Sequence, residues 1–381
     1  MLQSALLPTS LFQDVITDLS YSYYGTSLAV ASADHRVRIF SLAPSHPHHA
    51  NGTSSADHSN HPHSRDRDGN VGSSGGWELD DEFKAHDAPL TRICFAHPAY
   101  GPLLATAAFD RTVKIWEDVP SRAANSQRTR WVERKVLPDL GASQRSLEFA
   151  PEALGLKLAG VGADGWVRIW ECLDLPSLTS WEVKEELDMH SLLGAPGSGG
   201  TDVGWSVAWC AERWWGDVLA VCCGQAGCVK VRSPSHSPLP PAPEVVPLTS
   251  VAWAPACGRS FHLLAAGSEA GGVYLWRVTP RSQSYPGTAP PEEENAWQAG
   301  VELVGDFPSD AAEGGRPVGR VQFNPTGTIL SSAGDDGRVR LWKASFTGVW
   351  RAMGSVFATP GGEEEDGEAM EEDDGGEGYE S

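Results

Sequence analysis

Gly160-Val-Gly162-Ala-Asp-Gly165 has the spacing of a dinucleotide-binding loop, in which glycines let backbone N–H groups approach a pyrophosphate. That chemistry needs a helix whose N-terminus faces the phosphates. The residues that follow, Trp166-Val-Arg-Ile-Trp170, alternate as a strand does, so the glycines read as a hairpin turn. Six of the twelve histidines (His46, His48, His49, His58, His61 and His63) crowd one stretch, where imidazoles could ligate zinc or nickel. No cysteine accompanies them and no ligand spacing recurs, which points to a solvated linker. Cys222-Cys223 could cycle as a vicinal redox pair, but its apolar setting marks two inert thiols. The carboxylates of Glu292–Glu294 and of the C-terminal tail lie in polar stretches, where they would not gain the raised pKa of an acid catalyst. The sequence contains no H-E-x-x-H or P-loop, and its one G-x-S-x-G match, Gly72–Gly76, lies in a polar Ser/Gly stretch rather than at a nucleophile elbow. The expectation is a protein with no catalytic residue, no cofactor and no metal.

Stepping outward from these groups, 44–76 is Ser, His, Gly, Asn and Asp with almost no apolar side chain, and 361–381 holds eleven acids and no base. Neither could offset the entropy of ordering, so both are expected to be disordered. The tail supplies half of the net charge of −21, and the remaining acidic balance argues against direct nucleic-acid binding, which needs a cationic surface. Met1–Pro8 has no basic start, and the longest apolar stretch, Val218–Val229, is broken by Gly and Gln. Neither a secretory signal nor membrane insertion is expected. Seven cysteines without a CxxC pair suit reduced thiols in an intracellular protein.

The remaining 327 residues are organised by a repeat. Six segments share an apolar run, a turn and an alternating run: 28–40, 104–116, 158–170, 219–232, 264–276 and 330–342. In four of them an Asp precedes the terminal aromatic by six residues: Asp34–Phe40, Asp110–Trp116, Asp164–Trp170 and Asp336–Trp342. A further short strand pattern lies upstream of each. Such units predict an all-β fold, a six-bladed WD-repeat β-propeller over 14–360, preceded by an extension, 1–13. His86, Asp110 and Trp116 stand where this repeat family places a hydrogen-bond network within one blade, so they read as structural.

Each blade has its own four strands in chain order, with Trp350–Phe357 completing the sixth and Trp77–Phe83 the first. No overlap is left to lock the last blade to the first. Two solutions stay open on the residues alone. Residues 1–13, with Leu6, Leu7, Leu11 and Phe12, could add a strand and close the ring in cis. Alternatively, a partner chain could supply a blade by β-augmentation along the first inner strand, Asp14, Val15, Ile16, Thr17, Asp18 and Leu19.

The segments AHPAYGPLLATAAFDRTVKIWED (96–118), WVERKVLPDL (131–140), FAPEALGLKLAGVGADGWVRIWE (149–171), LPSLTSWEV (175–183), GRSFHLLA (258–265) and GTILSSAGDDGRVRLWKASF (327–346) resemble the small WD-repeat nucleoporins of the Seh type. That family is related to the small propeller of the COPII vesicle coat, with which 96–101 is shared; LPSLTSW and GRSFHLLA are more similar to the nucleoporin. The resemblance implies an open six-bladed propeller completed in trans by a blade from a larger helical-solenoid nucleoporin. It implies a scaffold in the Y-shaped complex of the nuclear pore, alongside other subunits of that complex, serving protein and mRNA transport. It also implies a second pool in a coat-like complex at the vacuole or lysosome that regulates target-of-rapamycin signalling. The alternatives are a COPII-type coat propeller and a chromatin-associated adaptor whose acidic tail attracts histones. The insert 44–76, the acidic tail and the degenerate fourth repeat (Gln225, Ala226, Arg232) depart from the family pattern.

Overall fold

A computed structural model describes residues 7–42, 76–120, 129–137, 140–193, 204–211, 217–223, 229–232, 237–238, 247–255, 257–279, 301–307 and 316–357. The expectations of disorder for 44–76 and 361–381 fall outside these residues, Gly76 excepted.

Alternating small and branched side chains, broken by Asp-containing turns, fold as six antiparallel sheets of four strands, each in simple chain order. The first holds β1 (Ile16–Tyr21), β2 (Ser27–Ser32), β3 (Arg36–Leu42) and β4 (Trp77–Lys84). The second holds β5 (Leu90–Phe95), β6 (Leu103–Ala108), β7 (Val113–Pro120) and β8 (Thr129–Leu137). The third holds β9 (Gln144–Phe149), β10 (Lys157–Gly162), β11 (Trp166–Cys172) and β12 (Trp181–Asp188), followed by a single helical turn, α1 (Met189–Leu193). The fourth holds β13 (Trp205–Trp209), β14 (Leu219–Cys223), β15 (Val229–Arg232) and β16 (Ser237–Pro238). The fifth holds β17 (Leu248–Trp253), β18 (His262–Ser268), β19 (Val273–Val278) and β20 (Val301–Phe307). The sixth holds β21 (Val318–Phe323), β22 (Ile329–Gly334), β23 (Arg338–Ala344) and β24 (Trp350–Phe357).

The sheets are not equivalent. Five are full blades with outer strands of seven residues or more, whereas the fourth ends in the two-residue β16. In those five, the register shifts once between the first two strands and once between the last two. Such shifts add local twist. The described residues of the fourth sheet have neither shift. The expectation of a six-bladed propeller is therefore corrected to five full blades and a reduced fourth sheet, which falls where the sequence has its degenerate repeat.

Buried side chains fill the space between successive sheets. Leu104 and Trp116 pack with Ala29, Ala31, Val37 and Ile39 of the first sheet. Four further cores lie between sheets two and three, three and four, four and five, and five and six. Each inner strand packs on the next along the series β1, β5, β9, β13, β17 and β21. No comparable core joins the described residues of sheet six to sheet one.

The Asp-containing turns have one geometry. In each of the four turns the Asp Oδ1 accepts the amide two residues on, from Arg36 at 3.1 Å, Thr112 at 3.0 Å, Trp166 at 3.2 Å and Arg338 at 3.0 Å. The residue between has positive φ: His35 at 69°, Arg111 at 64°, Gly165 at 73° and Gly337 at 72°. A short carboxylate side chain stabilises this turn even where glycine is missing.

Candidate functional site

The residues with chemical possibilities come first. Gly160 and Gly162 sit inside β10, and a side chain on Gly160 would meet Leu147 at 2.9 Å, so this backbone packs against protein rather than a ligand. Gly165 occupies the left-handed position of the turn leading into β11. The loop is a hairpin, as its following strand predicts, and offers no helix N-terminus. Cys222 is buried at the core between sheets four and five. The histidine-rich stretch and Cys223's side chain lie outside the described residues. Among the described residues no cluster of three or more His, Cys, Asp or Glu could hold a metal, and no helix is long and apolar enough to cross a membrane.

In the second sheet, His86 Nδ1 lies 2.8 Å from Asp110 Oδ2, and His86 Nε2 lies 2.8 Å from Thr106 Oγ1. Trp116 Nε1 donates to the same Thr106 oxygen at 2.9 Å. Because that oxygen accepts from Trp116, its own hydrogen points at Nε2, and the proton of a neutral His86 sits on Nδ1 facing Asp110. Burial holds the His86 pKa below its ordinary value, while Asp110 pulls the other way. Sequence reasoning missed Thr106, whose type and spacing carry no signal apart from its neighbours. The other aspartates do different work. Asp34 pairs with Arg38 at 2.7 Å, Asp164 with Arg168 at 3.3 Å and Asp336 with Arg340 at 2.7 Å, each four residues on. Trp170 fills the core between sheets two and three, and Trp342 Nε1 donates to Ser332 at 3.3 Å.

The inner strands are stitched to one another by side chains. Asp18 accepts the Ile93 amide at 3.0 Å, Ser146 that of Val207 at 3.3 Å, Ser206 that of Val251 at 3.3 Å and Ser250 that of Val321 at 3.2 Å. Glu148 adds a second stitch, accepting the Trp209 amide at 2.7 Å. Burial pushes the Glu148 carboxyl up to about 7, although that amide and the Arg320 charge act to lower it. The sixth sheet has Arg320 at the stitching position. It has no carboxylate or hydroxyl to accept with, and its guanidinium donates back to Asp18 Oδ1.

That ion pair spans the seam between the sixth and first sheets. On the sixth-sheet wall, Val339 is 38% exposed and Val356 36%, beside half-buried Ile329 and Leu341. The residues matching Val339 in four other sheets, Val37, Val113, Val167 and Val273, are at most 1% exposed because a following sheet covers them. Lys343 and Arg351 stand opposite each other on the same wall. The first-sheet wall differs. Leu28, Val30 and Phe40 are buried, with Leu7, Leu11, Phe12 and Trp77 packed on them, while Leu19 and Tyr21 remain exposed on β1.

The expected partner-binding residues therefore divide. Val15, Ile16 and Leu19 are exposed, Asp14 caps the Val15 amide at 2.7 Å, and Thr17 donates to the Ala31 carbonyl at 3.3 Å. The Asp18 side chain is buried and engaged by Ile93 and Arg320. The strand begins at Ile16 rather than Asp14. Of the segment 1–13 offered for closure in cis, the described part from Leu7 on forms no strand: Thr9–Leu11 make a 3₁₀ turn, and no described residue before Ile16 pairs as a strand.

The family model for the WD domain, G-beta repeat, matches residues 8–41, 77–117 and 310–343. Nucleoporin SEH1 of Saccharomyces cerevisiae is 30% identical, across 91% of this chain and 97% of the relative. Nucleoporin seh1 of Schizosaccharomyces pombe is also 30% identical, across 90% and 94%. Nucleoporin SEH1 of Danio rerio is 28% identical, across 90% and 84%. Identity at this level along nearly the full length of both chains means that this chain belongs to the Seh1 family of WD-repeat nucleoporins.

Proposed function

We propose that this chain is a non-enzymatic scaffold subunit of the nuclear pore, built as an open propeller whose missing blade comes from a partner. The observation that supports this is the bare wall of the sixth sheet. Val339 and Val356 are exposed at positions that a following sheet covers elsewhere in the molecule. Covering Ile329, Val339, Leu341 and Val356 would contribute on the order of 5 kcal/mol, taking a part of the roughly 1.5–3 kcal/mol for a fully buried aliphatic side chain. A partner strand could pair at the seam while alternate side chains fill the wall. The donor in this reading is a larger helical-solenoid nucleoporin, with other subunits of the Y-shaped complex bound elsewhere. Support of protein and mRNA transport follows from that location. A vacuolar or lysosomal coat-like complex acting on target-of-rapamycin signalling would use the same slot.

The test is cross-linking mass spectrometry on complexes captured through the tagged full-length chain from its own cells. One nucleoporin segment should cross-link both to Lys343 on the sixth-sheet wall and to Lys84 at the end of β4. If cross-links from both lysines stay within this chain, the open-slot reading is wrong.

A further inference from the structure

The two walls of the seam are unequal, and the inequality sets an order of events. In sheets two, three, five and six, the residues matching Leu28 and Phe40 pack on the preceding sheet. Leu104 and Trp116 pack on sheet one, and Leu330 and Trp342 on sheet five. Sheet one has no predecessor, and the chain's own N-terminal segment takes that place. The Phe12 ring lies 6.3 Å from the Phe40 ring, tilted by 32°, and Leu7 and Leu11 complete the cover. Its attachment is slight: the Gln13 amide reaches Asp34 Oδ2 at 3.4 Å, and Leu11 closes only a local turn with Pro8.

Beneath the cover lies a polar defect. Arg38 is 1% exposed, with its guanidinium carbon 4.9 Å from the Phe12 ring centroid. Its Nη2 is held by Asp34 at 2.7 Å and Glu82 at 3.0 Å. Its Nε and Nη1 are buried with no hydrogen-bond partner. An aromatic face offsets part of that cost, but only an oxygen acceptor satisfies the two donors.

We propose that Leu7–Phe12 is a placeholder in the slot, displaced when a partner blade enters, and that Arg38 is the anchor the entering blade engages. The replacing group is an Asp or Glu carboxylate or a main-chain carbonyl, seated where Phe12 now lies. This rests on the open-slot reading and adds to it a step that the chain controls in cis.

The experiment compares the full-length chain purified alone with the same tagged chain captured in complex from its own cells, both treated with chymotrypsin. Cleavage after Leu7, Leu11 and Phe12 is followed by mass spectrometry. Cleavage there should be slow in the lone chain and about tenfold faster in the complex, while other sites keep their rates. Phe12→Ala and, separately, Leu11→Ser should make the lone chain behave like the complex. Arg38→Lys keeps a charge for Asp34 but loses the planar donors, and should lower the recovered slot-spanning segment about tenfold with little change in melting temperature. Equal or slower cleavage in a complex whose segment cross-links to Lys343 would overturn the placeholder while leaving the open slot standing. Unchanged recovery with Arg38→Lys would overturn the anchor. A complex with no segment cross-linked at the seam removes the slot and, with it, this inference.

Discussion

Thr106 carries more of the second blade than its size suggests. Its hydroxyl accepts from Trp116 and donates to His86, which in turn holds Asp110. Thr106→Val preserves shape but strands a buried indole N–H and a buried imidazole nitrogen. The expected loss is about 2–4 kcal/mol, at roughly 1–3 kcal/mol for each buried unsatisfied group, read as a lower urea midpoint. Glu148 offers a test of sign. Its folded carboxyl titrates near 7, against an ordinary value of 4.5. In that window the unfolded chain has released its proton while the folded chain keeps it. The Glu148 contribution to stability is therefore full below about pH 4.5 and declines as the pH rises through 7. The fall is up to about 3 kcal/mol at 1.36 kcal/mol per pH unit. Glu148→Gln should flatten the dependence of the urea midpoint on pH between 5 and 7, whereas an unchanged slope would assign it to other groups.

At the level of elements, the turns show how much was legible in the sequence. The sixfold repeat and the period-2 alternation located the strands, because each side chain in a blade points either to the preceding sheet or to the following one. The Asp spacing marked the turns, since a carboxylate that caps its own backbone does so within two residues. Less local features left little trace. The register shifts depend on pairing between strands, whereas the reduced fourth sheet was foreshadowed only by its degenerate repeat. The segment Leu7–Phe12 has strand-like apolar content, yet it covers a wall without pairing, because Leu28, Val30 and Phe40 offer it an apolar surface rather than a free strand edge. The first inner strand was found to within two residues of its start, but Asp18 lies inward through contacts with Ile93 and Arg320 that are 75 and 302 residues away. The turns also carry a prediction. Arg111 holds φ of 64° in an exposed turn where two other sheets have Gly165 and Gly337. Arg111→Gly relieves a left-handed strain of about 1–2 kcal/mol but adds unfolded-chain entropy. The net expectation is a rise in stability of about 0.5–1 kcal/mol by chemical denaturation.

For the whole molecule, the open-slot proposal makes the sixth-sheet wall the surface that decides what the chain joins. Val339→Asp places a carboxylate where a following sheet is missing, and in the lone chain it meets water. Its melting temperature should stay within about 2 °C of the parent, as expected for a change of about 0.5 kcal/mol or less at an exposed site. Recovery of the slot-spanning segment should fall by at least about tenfold, since one buried unpaired charge exceeds the 1.4 kcal/mol that a factor of ten requires. Equal recovery would move the interface elsewhere. The five inter-sheet cores have a further consequence. A closed ring of cores would give every sheet two apolar neighbours, but among the described residues five cores join six sheets as a row, and only the Asp18–Arg320 ion pair bridges its ends. Cooperativity in a row is passed only between adjacent members, so opening is cheapest at the two terminal ones. In the lone chain, amide exchange should be fastest in β1–β4 and β21–β24 and slowest in the central sheets, and a bound partner should level that gradient. Assembly would then convert a molecule that can fray into one that has nowhere to begin.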